Sequence, residues 1–349
     1  MHWAKTQSRA RFNLATSGVG SFPLAKLPHV PALEINGDST YGYAPLQQAI
    51  ARKCGVDPDC VVAAAGTSMA NHLVMAALID PGDEVLIEHP AYELLVSAAL
   101  FLGARVKRFA RAAENGFALD PAAVRAALTP RTRLIVITNL HNPSSVLAPD
   151  STLREVGDLA RSVGAHVLVD EVYLDAVYEN TPRTSYHLGP EFIVTNSLTK
   201  VYGLSGLRCG WILAQPDLAR AMWRLNDLFG SIPAHPAELL SVAAFENLDL
   251  IRKRARKVVE GDRVLLGEFL RRQPAVSAPR TAWGTTAFLQ LHGADVEPLL
   301  ARLRTDYETT AVPGRFFEMP DRFRIGMGVN TEMFGEGLRR LDLALLSCR

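Results

Sequence analysis

Between about Val61 and Ala214, short apolar runs rich in β-branched residues alternate with longer segments whose apolar positions recur every three to four residues. The short runs are Val85–Ile87, Val106–Phe109, Leu134–Thr138, His166–Val169, Phe192–Asn196 and Gly210–Leu213, with one more ending near Ala65. They read as buried strands of a mostly parallel sheet, because a strand covered on both faces has no polar side to show. The longer segments, Met69–Ile79, Ala91–Leu102, Pro121–Leu128 and Pro149–Val163, are each long enough to cross over between parallel strands as a helix. Asp80-Pro81-Gly82-Asp83 and Asn115-Gly116 fall where turns are needed and carry turn chemistry. The pattern predicts an α/β domain.

After Pro236 one long amphipathic stretch runs through Arg252-Lys253-Arg254 to Arg272 and closes at Pro274. It reads as the connection into a second, smaller C-terminal domain, with the charge run as a solvated helix face. The length of 349 residues agrees, being about two domains of usual size. There is no internal repeat and no low-complexity segment.

Composition then narrows the function. Hydrophobic residues at 48% and charged residues at 21% are those of an ordinary folded chain, and a net charge of +1 provides no field to gather nucleic acid or an anionic membrane. The expected partner is a small molecule. Cys54, Cys60, Cys209 and Cys348 form no C-x-x-C and have no histidine at ligand spacing, so neither a zinc site nor a disulfide framework is expected. With no apolar leader at the N-terminus and no span of about 18 apolar residues, a reducing cytoplasm is the expected compartment.

Glycine pairs occur at Gly18-Val19-Gly20 and Gly203-Leu204-Ser205-Gly206, but neither completes G-x-G-x-x-G, and no P-loop pattern is present. Lysine is scarce: only seven of the 37 cations are lysine. One of them, Lys200, follows the end of a predicted buried strand, flanked by Ser197 and Thr199, with Arg208 eight positions on and no acidic residue nearby in sequence. A lysine usually sits in solvent. This one stands among glycines and apolar residues, as an amine used for covalent catalysis would.

The segment Ser197-Leu198-Thr199-Lys200, followed by Gly206-Leu207-Arg208-Cys209-Gly210, resembles the lysine region of the class I/II aminotransferases, fold-type I pyridoxal-phosphate enzymes. The resemblance implies that Lys200 carries the cofactor as a Schiff base and that Ser197, Thr199 and Arg208 surround its phosphate, the arginine as a bidentate fork. Other motifs follow in the family's order. Asp170, at the end of the His166 strand, then holds the pyridine nitrogen, and Tyr173 reaches the ring oxygen. A metal or acid pair at Asp170-Glu171 is the weaker reading, since no ligand cluster accompanies it. Asn142-Pro143 matches the family's N-P signature and implies a second contact to the ring oxygen, although Asn139-Leu140-His141-Asn142-Pro143-Ser144-Ser145 lacks the family's first proline and its glycine.

Gly66-Thr67-Ser68 lies between a strand and a helix, where it serves as an anion cradle, a helix cap or both. Tyr92, in Pro90-Ala91-Tyr92, is implied to lie over the ring, where an isolated tyrosine would be packing. Tyr41, in Tyr41-Gly42-Tyr43-Ala44-Pro45, resembles the tyrosine that reaches the neighbouring subunit's phosphate; Gln47 stands where arginine is usual, and Tyr41 directly precedes the glycine. Arg324, in Arg322-Phe323-Arg324-Ile325-Gly326, is implied to clamp the substrate α-carboxylate, with Asn142 and Gly18 beside it.

The resemblance implies three parts. Residues 1–40 contribute to an active-site lid and the small domain, 41–240 form a large cofactor domain on a mostly parallel seven-stranded sheet, and 241–349 form a smaller α/β domain. It implies a cytoplasmic homodimer, with no metal, that transfers an amino group between an amino acid and a 2-oxo acid. Lys200, Asp170 and Tyr173 are the catalytic residues on this reading. A β-lyase, decarboxylase or cyclase would share every cofactor contact, whereas a non-catalytic regulator would need a DNA-binding domain for which the chain has no room.

Overall fold

All seven apolar runs join one sheet in the computed structural model, which describes residues 2–38 and 40–346; Cys348 lies outside them. The strands are β1 (Val61–Ala65), β2 (Glu84–His89), β3 (Arg105–Ala110), β4 (Thr132–Thr138), β5 (His166–Asp170), β6 (Phe192–Ser197) and β7 (Cys209–Leu213). Their order across the sheet is β1-β7-β6-β5-β4-β2-β3. Only β7 runs against its neighbours: it pairs antiparallel with β1 and β6, while the other pairings are parallel. Val85, Leu86, Ile87, Leu134, Val136, Val167 and Leu168 are wholly buried, each adding about 1.5–3 kcal/mol of apolar burial. Helices on both faces supply the cover.

Parallel strands leave their carboxyl ends on one edge, where open α/β sheets form their binding crevice. Thr138, Asp170 and Ser197 are the last residues of β4, β5 and β6, and the helix Thr67–Leu78 starts beside them. Gly66 enters that helix at φ 81° and ψ 169°, in the left-handed half of backbone space that favours glycine.

The amphipathic stretch after Pro236 forms two helices, His235–Glu246 and Leu248–Arg272, instead of one. The break falls at Asn247, whose side-chain amide donates to the Ala243 carbonyl at 2.8 Å and so competes with the backbone ladder. Nor is the charge run merely solvated. Arg252 donates to the carbonyls of Val177 (3.1 Å) and Tyr178 (2.7 Å), and Arg254 to those of Gly20 and Ser21 (3.0 Å each). The two arginines tie the helix to the large-sheet unit and the N-terminal segment.

Beyond this helix a four-stranded antiparallel sheet follows the order Val312–Pro313, Arg322–Gly326, Thr286–Leu291, Val276–Ser277. Phe12–Asn13 pairs in parallel with Thr309–Thr310, joining the N-terminal segment to this smaller unit. No helix among the described residues is long and apolar enough to cross a membrane.

Candidate active site

A cavity of about 430 Å³ opens at the carboxyl ends of β4, β5 and β6, closed by the smaller sheet unit and by Trp3, Lys5 and Ser17 of the N-terminal segment. Lys200 reaches it three residues beyond β6, and its Nζ donates to the Ser17 hydroxyl at 2.8 Å. Behind it the Lys200 carbonyl accepts the Val19 N–H at 2.8 Å, and a Cβ on Gly18 would stand 2.9 Å from that carbonyl. Gly18 therefore packs against the lysine backbone while its neighbour Ser17 faces the cavity.

Asp170 is 5% exposed and accepts only neutral N–H groups here: Asn71 Nδ2 at 2.8 Å and the Val172 amide at 3.1 Å. Burial pushes its carboxyl up to about 6, against the Asn71 bond, the Val172 bond and the charge of Lys200. Glu171 turns away, accepting the Ser185 N–H and hydroxyl at 2.7 and 2.6 Å, so Asp170 and Glu171 share no site. Tyr173 is buried in the cavity wall, and Tyr92 is half-buried opposite, its phenol held neutral to high pH chiefly by burial.

At one end Thr67 and Ser68 open their helix, and the Ser197 hydroxyl accepts from Thr67 Oγ1 at 2.9 Å and from the Thr199 amide at 3.3 Å. Arg208, itself at φ 51°, donates to the Ala65 carbonyl at 2.9 Å across Gly66. A Cβ on Gly66 would lie 2.4 Å from Arg208 Nη2, and one on Gly210 would lie 2.5 Å from the Gly66 carbonyl carbon. Gly66 itself does not line the cavity; its lack of a side chain lets Arg208 do so. At the other end Arg324 Nη1 donates to Asn142 Oδ1 at 2.9 Å, both side chains buried, with the guanidinium 5.2 Å over Phe317. Arg322 lies outside the cavity, over the rings of Phe117 and Phe288.

Lys200, Asp170, Tyr173, Thr67, Ser68, Tyr92, Asn142, Ser197, Thr199, Arg208 and Arg324 thus meet in one cavity. Tyr41 does not join them within its own chain. Instead its hydroxyl donates to Asp227 Oδ2 at 3.0 Å and its ring lies 6.3 Å from Trp223, an intramolecular role that the isolated Tyr/Gly/Pro loop did not suggest. Sequence reasoning also missed Ser17, Asn71, Thr138, Trp3 and Phe316. Asn71 had a signal, four residues after Thr67 and so on the same helix face. Trp3 meets Phe316, 5.7 Å away, across most of the chain, and nothing local announces that contact.

This sheet, its crevice and the lysine at its edge define a fold-type I pyridoxal-phosphate enzyme. Residues 35–341 match the family described as aminotransferase class I and II, and the chain belongs to that family. It is 31% identical over 348 residues to capreomycidine synthase from Streptomyces vinaceus, covering 96% of this chain and 90% of that one. An arginine–pyruvate transaminase from Pseudomonas aeruginosa is 27% identical over 319 residues, 86% of this chain and 80% of that one. A pyridoxal-phosphate-dependent aminotransferase from Streptococcus suis superposes with a TM-score of 0.92 at 26% identity, covering 99% and 96% of the two chains.

The family's cofactor is pyridoxal 5'-phosphate, and the residues present fit it. Asp170 is a buried carboxylate bonded only to neutral N–H groups, as the partner of a ring cation should be. Thr67 and Ser68, which line the cavity, open the helix Thr67–Leu78, and a helix N-terminus suits an anion.

Proposed function

We propose that this chain is an aminotransferase that moves an amino group between an amino acid and a 2-oxo acid. The observation that carries the reading is the meeting, in one cavity, of the Lys200 amine, the buried Asp170 carboxylate and the Arg324–Asn142 pair. When bound, pyridoxal phosphate supplies an aldehyde that captures amines and a ring that draws electrons from the substrate Cα–H bond.

The chain's residues do the rest. Lys200 holds the cofactor covalently until substrate replaces it, and its freed amine then moves the Cα proton. Asp170 would hold the proton of the ring nitrogen, and Tyr173, Asn142 and Tyr92 would line the place of the ring, the first two as partners for its oxygen. Thr67, Ser68, Ser197, Thr199 and Arg208 would hold the phosphate, with Gly66 leaving room for the Arg208 guanidinium. Arg324 orients the substrate carboxylate, and its burial strengthens a charge-assisted bond that water would weaken. Gly18 does not line the cavity; its lack of a side chain lets the N-terminal segment pack on the Lys200 backbone, so its place beside the substrate is not kept. The free thiols of Cys54, Cys60 and Cys209 fit a reducing, cytoplasmic setting.

A second reading, cyclisation on the same scaffold, draws support from the 31% identity to capreomycidine synthase. Elimination and decarboxylation share the same contacts. Decarboxylation breaks a different Cα bond, whereas elimination shares Cα–H breakage with transamination and parts from it afterwards, so the test is chemical. The pyridoxal-loaded protein, incubated with a panel of amino acids, should convert to the pyridoxamine form with release of the matching 2-oxo acid. A cyclised product, or pyruvate and ammonia, with the pyridoxal form retained would replace transamination by cyclisation or elimination. Borohydride reduction followed by peptide mapping should place the label on Lys200, and labelling at another lysine would overturn the site.

A further inference from the structure

We propose that Asn71, locked by Thr195, is a positioning residue that presents the Asp170 carboxylate to the cofactor's ring nitrogen. The inference rests on the site reading above and adds residues that neither the motifs nor the family description assigns.

One turn of the helix Thr67–Leu78 reaches both ends of the cavity. Thr67 bonds Ser197 at the phosphate end, and four residues later Asn71 bonds Asp170 at the ring end. A side-chain amide has a donor end and an acceptor end, so its orientation decides what Asp170 meets. The ionised Asp170 carboxylate, which only accepts, takes the Nδ2 end at 2.8 Å, and the Thr195 hydroxyl, on β6, holds the amide that way round by donating to Asn71 Oδ1 at 2.6 Å. The donor chain runs Thr195, Asn71, Asp170 and ends on a group that only accepts, which is a carboxylate. Turned the other way, the amide would set its oxygen against Asp170, and the pair would hold only with Asp170 protonated.

Thr195 is fully buried and Asn71 only 5% exposed, so water cannot take over either bond. Of the titratable groups around the cavity, Lys200 and Tyr92 face Asp170, and Tyr173 follows it by three residues. Lys200 is the one cation among these, and it is the group that moves during the reaction. Asn71 is the fixed donor. Burial raises the Asp170 carboxyl to about 6, and the Asn71 bond is the largest effect opposing that rise. Losing it moves Asp170 further toward the neutral acid, which gives a ring nitrogen no charge to bind.

The test measures pyridoxal-phosphate affinity from pH 5 to 8.5, the visible spectrum of the loaded enzyme, and kcat and KM, for wild type, Asn71→Ala, Asn71→Asp and Thr195→Val. Affinity should fall as pH drops through the Asp170 titration. In Asn71→Ala the midpoint of that fall should move up by about one pH unit, with affinity about tenfold weaker at pH 5 and about twofold weaker at pH 7. Its kcat should drop about tenfold or more with KM within about twofold, because Asp170 acts through the ring and not on the substrate. Asn71→Asp should move the midpoint further, a second carboxylate disfavouring ionisation of the first. Thr195→Val, which keeps the shape and frees the amide, should move it part of the way.

Wild-type midpoint and affinity in Asn71→Ala would overturn the role. Where that variant fails to fold, a wild-type midpoint in Thr195→Val overturns it instead. A wild-type protein that leaves pyridoxal phosphate unbound would overturn the site reading itself, whereas normal binding with unmoved variants overturns only the part given to Asn71.

Discussion

Asp170 and Glu171 are chain neighbours with opposite work, because successive residues at a strand end point to opposite faces. Glu171 is buried on the far side against Ser185, and burial pushes its carboxyl from 4.5 up to about 7. A raised carboxyl binds its proton in the folded state after the unfolded chain has released it. Its stabilising share is therefore complete below 4.5 and is lost as pH rises through about 7. Glu171→Gln stays neutral, and its amide oxygen still accepts both Ser185 bonds. Relative to wild type, the cofactor-free variant should gain about 2–3 kcal/mol between pH 5 and pH 8. Urea unfolding of both proteins at the two pH values measures it, and a difference that does not change with pH would show that Glu171 ionises freely in the fold. From sequence, Asp170-Glu171 was legible as an acid at a strand end, and the family motif decided which of the two faces the cofactor. Ser17 and Trp3 were not legible, because their contacts with Lys200 and Phe316 exist only once the N-terminal segment has folded back over the cavity.

Element positions were legible wherever the hydrophobic period was strong. The predicted Leu134–Thr138 run became Thr132–Thr138 and Phe192–Asn196 became Phe192–Ser197, edges moving by a residue or two as paired backbone extends past the apolar core. The two-residue strand Phe12–Asn13 carries no such period and forms only because Thr309–Thr310 offers it a partner. The break at Asn247 was hidden because amphipathic periodicity continues through it. β7 comes close to the start of the helix Thr67–Leu78, with Gly210 facing the Gly66 backbone. A methyl on Gly210 would meet Gly66 backbone atoms at 2.5–2.9 Å, and backbone cannot swing aside as a side-chain tip can. Gly210→Ala should push Thr67 and Ser68 out of place, costing about 1–3 kcal/mol of stability and about tenfold or more in pyridoxal-phosphate affinity. Gly206→Ala, in the turn just before β7 with open space around it, is the control and should change neither. Wild-type cofactor affinity in a folded Gly210→Ala protein would show that the helix start tolerates displacement.

At the scale of the whole molecule, the apolar surface points to what the chain works with. Phe101 is 82% exposed and Leu228 78%, with Leu100 and Phe229 beside them in sequence and also uncovered. They form one patch, since His72 lies 6.1 Å from the Phe101 ring and 5.2 Å from the Phe229 ring. Exposed aromatic and aliphatic residues gathered this way mark an interaction surface. His72 follows Asn71 on one helix, which so carries both a patch residue and a cavity residue, and Tyr41 bonds Asp227, the sequence neighbour of Leu228. We read this face as the interface of a homodimer in which each Tyr41 serves the other subunit's phosphate site, as a two-fold axis allows. Sedimentation should find dimers for wild type and monomers for the double variant Phe101→Asp/Leu228→Asp. Equal amounts of Lys200→Ala and Tyr41→Phe subunits, mixed under exchange, should recover activity. Each heterodimer holds one intact site, and random pairing puts about a quarter of all sites in that state. Asp227→Asn removes the partner of Tyr41 within its own chain. Near-normal activity there, with recovery in the mixture, places the action of Tyr41 across the interface; no recovery despite verified exchange, together with a defect in Asp227→Asn matching that of Tyr41→Phe, would confine it to its own subunit.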